Sequence, residues 1–252
     1  MKLVLTAFVL SALAPAQTFE TASVKLMDPG PPYGGYRHQI TPGGITMHKV
    51  SLGYCIRIAW GLKYAYDLAG PGWLDPPTDI LVDITAKTSA PATPDEILLM
   101  LRNLLIDRFG LKAHTEAREL RTYSLAQIRR DAALHPTAGG EPKMNPGSKP
   151  YSQAFKNMSM AQLARYLGPP VTSRPVIDKT GLDGAFDFEL DLGPYILDPA
   201  TGKQILDVRG GIDSEGAHMQ ALRDQLGLAL KSDRASFPVL VIDHIEKTPT
   251  GN

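Results

Sequence analysis

The chain has 252 residues, 43% hydrophobic and 21% charged, with 26 basic residues against 26 acidic ones. This is a globular composition with no electrostatic reason to hold nucleic acid or an anionic membrane. The single cysteine, Cys55, excludes an intramolecular disulfide, so a hydrophobic core has to supply the stability of one large domain or two small ones.

The chain opens MKLVLTAFVLSALAPAQ. Lys2 is a positive n-region, Leu3 to Leu13 is an uncharged apolar run, and Ala14-Pro15-Ala16 is a small-x-small cleavage sequence. The pattern predicts a secretory signal over 1–16 and a mature chain beginning at Gln17, exported to the periplasm or beyond. The competing reading is a buried N-terminal helix. No cysteine follows the run to take a lipid, and no later stretch reaches the roughly 18 uncharged apolar residues of a span. No membrane insertion is expected after cleavage.

TFETASVKL then reads as a strand. TMHKVSLGYCIRIAWGL gives a short strand, a helix N-cap at Ser51 and a helix with Leu52, Cys55, Ile56 and Ala59 on one face. In DILVDITAK the alternation of Ile80, Val82 and Ile84 predicts a half-buried strand. An amphipathic helix leads to Gly110, and GLKAHTEARELRTYSLAQI predicts a short strand, a polar turn and a second strand. Asp131 to Pro150, rich in Pro and Gly, reads as a linker or extended loop. The same grammar then returns. AFKNMSMAQLARYLG has its N-cap at Ser159, with Met160, Leu163, Ala164 and Leu167 on one face. AFDFELDL alternates Phe186, Phe188 and Leu190, and GLALKSDRASFPVLVIDHI matches the earlier Gly-Leu segment position for position, Gly110 with Gly227 and Leu125 with Ile242. The prediction is an α+β fold of two related strand–helix–strand–strand–helix–strand–strand units, in antiparallel or mixed sheets with helices on one face. The units cover 17–130 and 151–247, and the second carries an inserted loop over 193–216. The alternative is coincidence, because α+β chains reuse few patterns.

RPVIDKTGLDGAFDFELDLG contains Asp-Lys-Thr-Gly, the string at the phosphorylated aspartate of ion pumps. That chemistry needs a following Thr where this chain has Leu182, and partners in phosphate binding for which no GxxxxGK[ST] loop exists. Asp178, Lys179, Thr180 and Gly181 are therefore read as a structural turn, with Gly181 and Gly184 supplying positive φ. The histidines at 38, 48, 114, 135, 218 and 244 show no metal-ligand spacing, and GxSxG is absent. GGIDSEG carries Asp213 and Glu215 in a Gly-rich loop but lacks the oxygen spacing of an EF-hand. No metal and no cofactor is expected. Tyr64, Tyr66 and Trp73 lie in YAYDLAGPGWLDPP beside Pro71, Pro76 and Pro77, either as a recognition surface or with Trp73 plugging the core.

FETASVK, GGITMHKVSLGYCIRIAWGL, GPGWLD, TPDEILLMLRNLLIDRFGLKAHTEARELRTYSL, MSMAQLARYL, PVIDKTGLDGAFDFEL and VLVIDHIEKTP together resemble the Soli-type conserved hypothetical proteins. These carry a domain of unknown function found as many paralogues in soil acidobacteria. The resemblance runs over nearly all of the mature chain, with Thr248 a small departure between Lys247 and Pro249. It implies a secreted or periplasmic protein. Some members are attached to membrane metallopeptidases of the antibiotic-sensor type, which implies an extracytoplasmic sensing or interaction role. The strand–helix–strand–strand units also loosely resemble the periplasmic N-terminal modules of secretins and TonB-dependent receptors, an analogy at the level of fold. The expected function is a non-catalytic module that binds an envelope protein, a peptide or a glycan, with Tyr64, Tyr66, Trp73, Asp213 and Glu215 on its contact surfaces. The alternative is an exported hydrolase with a dispersed polar site built on Asp178, His114 and His244, and a scaffold without a small ligand is a third.

Overall fold

The computed structural model describes residues 18–28, 37–74, 78–130, 134–137, 139–169, 171–205 and 211–251. The predicted signal segment and Pro76 and Pro77 lie outside these ranges. The strands are β1 Thr21–Met27, β2 Arg37–Thr41, β3 Gly44–Ser51, β4 Leu68–Ala69, β5 Leu81–Lys87, β6 Lys112–Gln127, β7 His135–Pro136, β8 Lys143–Pro146, β9 Ser152–Ser159, β10 Val176–Asp178, β11 Ala185–Asp191 and β12 Leu228–His244. The helices are α1 Leu52–Ala59, α2 Pro94–Phe109, α3 Met160–Leu167, α4 Gly193–Ile196 and α5 Ser214–Leu226. The class is α+β, as the alternation and the caps predict.

The chain divides into two compact units, 1–117 with 238–252, and 118–237. The division does not follow the linear halves. It falls inside β6 and inside β12, so each long strand gives one end to each unit.

In unit 1 the sheet order is β1-β5-β3-β2, antiparallel throughout. Its buried residues Val24, Met47, Val82 and Ile84 meet Leu52, Cys55 and Ile56 of α1 and Ile97, Leu101, Leu105 and Phe109 of α2. Alternation along β5 puts Val82, Ile84 and Ala86 inside and leaves Thr85 and Lys87 exposed. In unit 2 the order is β7-β11-β9-β8. There Phe155, Phe188 and Leu190 pack with Leu163 and Leu167 of α3 and Leu222 and Leu226 of α5. Phe155 stacks on Phe188 at 4.8 Å and meets Tyr166 edge-on at 5.2 Å.

Helix ends follow from single residues. Ser51 Oγ accepts from Tyr54 N at 3.1 Å. Thr93 and Ser159 form reciprocal capping boxes with Glu96 and Gln162, each cap contributing about 1 kcal/mol. Gly110 closes α2 at φ 58°, ψ 28°, and Gly227 closes α5 at φ 58°, ψ 27°, left-handed geometry that favours glycine.

Three features differ from the sequence reading. The expected strand–turn–strand after Gly110 is one continuous strand of 16 residues, and the one after Gly227 is a continuous strand of 17. Between Lys112 and Gln127 there is no Gly, Asn, Asp or Pro to seat a tight turn, so the polar middle stays extended. The segment read as a linker holds β7, paired with β11, and β8, paired with β9. The inserted loop holds α4, a bridge between Leu197 and Gln204, and the first turn of α5.

A further feature has no simple sequence signal. In β3 the register against β5 shifts between Met47 and Val50, so two residues face Asp83 alone. Lys49 there has φ 51°, and its N–H donates to Asp83 Oδ1 at 2.7 Å. In β9 the same bulge faces Asp187. Asn157 has φ 50° and donates its N–H to Asp187 Oδ1 at 2.8 Å. Each bulge bends its strand into the helix that follows.

Candidate functional site

In unit 2, β10 runs parallel to β6, with Val176 beside Tyr123, Ile177 beside Ser124 and Asp178 beside Leu125. Tyr123 N donates to Pro175 O at 2.8 Å, so the pairing continues toward Arg174, whose neighbour two residues before Tyr123 is Arg121. Arg121, Arg174, Ser232, Asp233 and Arg234 line an open groove of about 550 Å³. The Arg174 guanidinium lies 5.0 Å from the centre of the Tyr123 ring. Tyr123 in turn donates its hydroxyl proton to Glu215 Oε1 at 2.9 Å. Partial burial, and then the Glu215 hydrogen bond, raise the Tyr123 pKa, so the phenol stays a donor. Arg234 is 3.6 Å from Glu119, an exposed pair, and Lys179 Nζ is 2.7 Å from Asp233. That ammonium holds the Asp233 carboxyl below the usual carboxylate range. Among the described residues Arg121 and Arg174 make no ion pair.

Asp178 stands at the end of β10, beside this groove in sequence but turned onto its own backbone. Its Oδ1 accepts from Thr180 N at 2.9 Å and Thr180 Oγ1 at 2.7 Å. Thr180 Oγ1 accepts from Leu182 N at 3.2 Å, with Gly181 at φ 69° and Gly184 at φ 86°. An aspartate held this way shapes a turn and points no free oxygen pair at a substrate.

Asp213 caps α5, accepting from Gly216 N at 2.8 Å, and Glu215 is the acceptor for Tyr123. Tyr64 and Tyr66 stack in unit 1 at 5.0 Å and 17°. Burial, aided by Asp67, pushes the Tyr66 phenol far up. Trp73 packs half-buried against the unit 1 core, with Lys247 Nζ 5.6 Å from its ring. His114 lies on the surface, its Nδ1 2.9 Å from Asp243 and its Nε2 3.5 Å from Glu116, which together raise its pKa. His244 pairs with Glu246 at 3.0 Å, also exposed. His218 is buried on α5, its Nδ1 2.7 Å from Ser214 O, and burial lowers its pKa. Among the described residues no three His, Cys, Asp or Glu side chains form a group able to hold a metal, and no helix is long and apolar enough to cross a membrane.

The arginine groove escapes a linear reading, because its residues come from three separated stretches that only the sheet order β10-β6-β12 unites. The available signal is the sequence RPVID, whose Pro forces an extended entry to a short strand carrying Arg174 at its head.

Fold and groove together define a two-unit α+β protein with a cationic surface cleft on one unit. The chain belongs to the family described as "Protein of unknown function (DUF3738)", whose model matches residues 53–245. Comparison with curated proteins and with solved structures returned no match.

Proposed function

We propose that the chain is an exported, non-catalytic module that binds or senses a ligand of the cell envelope. The observation that carries this reading is the open groove of unit 2, where two guanidinium groups face solvent without a carboxylate partner while the groups suited to catalysis are engaged elsewhere. Asp178 is held by Thr180, and His114 and His244 pair with surface carboxylates. Export is supported by the n-region, apolar run and cleavage sequence of residues 1–16. The same proposal places the chain with the Soli-type acidobacterial proteins, which its ordered motif set resembles.

The same proposal includes an internal duplication. Its support is the shared element order β3-α1-β4-β5-α2-β6 and β9-α3-β10-β11-α5-β12, with equal caps at Ser51 and Ser159 and equal bulges at Lys49 and Asn157. The pairings agree as well. β12 pairs in parallel with β4 at Leu240 and Leu68, and β6 pairs in parallel with β10 at Tyr123 and Val176.

The test is expression of the full chain in a Gram-negative host, with mass measurement of the product and affinity capture from envelope extract and a glycan panel. Processing at Gln17 with reproducible capture of one class of ligand supports the proposal. Retention of the leader in the cytoplasm, or capture of nothing on either panel, refutes it.

A further inference from the structure

We propose that the groove of unit 2 binds an oxyanion, a carboxylate or phosphoryl group carried by a small ligand, between the guanidinium groups of Arg121, Arg174 and Arg234. The inference rests on the binding reading above and names its ligand chemistry.

Neighbouring strands lie about 4.8 Å apart, so like charges side by side on β6 and at the head of β10 repel. Arg121 and Arg174 are such a pair, two residues ahead of the Tyr123–Val176 partners. Repulsion of this kind is relieved by a shared anion, and no protein carboxylate among the described residues supplies one to either. Arg174 is also pre-oriented. Its planar group sits over the Tyr123 ring, and Tyr123 is itself anchored by Glu215, which leaves the N–H edge of the guanidinium for a ligand. A guanidinium fork fits the two oxygens of a carboxylate or phosphate, and a second from another strand fits the remaining lone pairs. Ser232 adds a hydroxyl at the same surface.

Two acidic groups oppose the anion. Asp233 lines the groove, and its carboxylate is turned to Lys179 at 2.7 Å. Glu119 similarly engages Arg234 at 3.6 Å and draws off part of its charge. The groove therefore carries Arg121, Arg174, Arg234 and Lys179 against Asp233 and Glu119, a positive excess that favours anions at low salt. The open volume of about 550 Å³ holds a ligand of sugar-acid size with one face in water.

The experiment titrates the full exported chain with sodium phosphate, with galacturonate and with neutral galactose, by calorimetry and by NMR shifts of the arginine side chains at about 20 mM salt. Arg121→Gln and Arg174→Gln are each expected to weaken binding about tenfold or more, and 150 mM salt to weaken it several-fold. Asp233→Asn is expected to tighten it several-fold, which a merely structural role for the groove does not give. Arg165→Gln, on the exposed face of α3, leaves it unchanged. Unfolding midpoints confirm that each variant is folded. Binding of phosphate alone assigns a phosphoryl ligand, binding of galacturonate alone assigns a carboxylate, and binding of both assigns the shared oxyanion; each supports the proposal. No binding of either anion, binding of galactose equal to galacturonate, or binding indifferent to Arg121 and Arg174 overturns it. If an envelope ligand is captured and capture survives both arginine changes, this inference fails while the binding reading stands.

Discussion

Gly110 and Gly53 separate two reasons why a position demands glycine. Gly110 closes α2 in the left-handed region, where an L side chain costs roughly 1–2 kcal/mol. A Cβ there would meet nothing nearer than Glu246 Cγ and the His244 ring at 3.8 Å, which is ordinary contact. Alanine also narrows the unfolded ensemble and returns about 0.4–1 kcal/mol. Gly110→Ala is thus expected to destabilise by about 1 kcal/mol, and Gly110→Asn by less, because asparagine tolerates this backbone. Gly53 is the reverse case. It lies inside α1, and a Cβ would sit 2.5 Å from the Leu74 carbonyl oxygen. Overpacking costs about 1–3 kcal/mol, partly offset by the roughly 0.5–1 kcal/mol helix preference of alanine. Gly53→Asn, being larger, is expected to be worse than Gly53→Ala. The chain has two tryptophans, Trp60 and Trp73, and both lie in unit 1 with these glycines. Urea unfolding followed by tryptophan fluorescence therefore reads the unit being perturbed. Equal losses for Ala and Asn at Gly110, or a neutral Gly53→Ala, would refute the division into conformational and steric causes.

Phe155→Ala removes a fully buried ring from between Phe188 and Tyr166, and is expected to cost about 3–5 kcal/mol by far-UV circular dichroism in urea; a loss under 1 kcal/mol contradicts the packing. Thr93→Ala removes the cap of α2 and should cost about 1 kcal/mol in the tryptophan transition. Burial pushes the Cys55 thiol up to about 12, so a disulfide reagent at pH 8 should label it only after denaturation, and rapid labelling of the folded protein counts against that burial. The carboxyls of Asp187 and Glu189 lie below their usual values, first through the Asn157 N–H bond and the Ser152 hydroxyl bond respectively. Their contribution to stability is thus full above the unfolded values near pH 4 and lost as pH falls through the lower folded values. Asp187→Asn and Glu189→Gln should each flatten the acid limb of the stability–pH curve, and an unchanged limb refutes the assignment.

The legible part of the fold is the part set by local chemistry. Ser51 and Ser159 announce helix starts because a hydroxyl before an apolar face has few other uses. Gly110 and Gly227 announce helix ends, and the alternation of Val82 and Ile84 or Phe188 and Leu190 announces strands. The continuity of β6 was hidden by polar residues at its centre, none of them suited to positive φ; in β12 Asp233 is a turn-former by type, but its carboxylate pairs with Lys179 and the strand runs on. The bulges were hidden for a different reason. Lys49 is an improbable residue for φ 51°, and its N–H is compensated by Asp83 on the neighbouring strand, 34 positions away. The arginine groove is hidden in the same way, since Arg121, Arg174 and Arg234 become neighbours only through strand pairing.

The chemistry of the groove is not shared by the positions of unit 1 at the corresponding sequence spacing. The spacing that carries Gly110 to Gly227 carries Arg121 to Pro238, and carries Thr115, Glu116 and Ala117 to Ser232, Asp233 and Arg234. The spacing that carries Leu68 of β4 to Val176 of β10 carries Tyr66 to Arg174. Positions that hold the fold, such as the caps, the bulges and the buried strand residues, keep their chemistry in both units. At the head of the short parallel strand the chemistry changes, from the stacked Tyr64 and Tyr66 in unit 1 to a guanidinium over Tyr123 in unit 2. Under the proposed duplication, the head of the short parallel strand is a surface position whose chemistry varies without touching the buried core of its own unit. It follows that replacing the arginines of unit 2 should alter anion recognition while leaving the core of that unit, and its unfolding transition, in place.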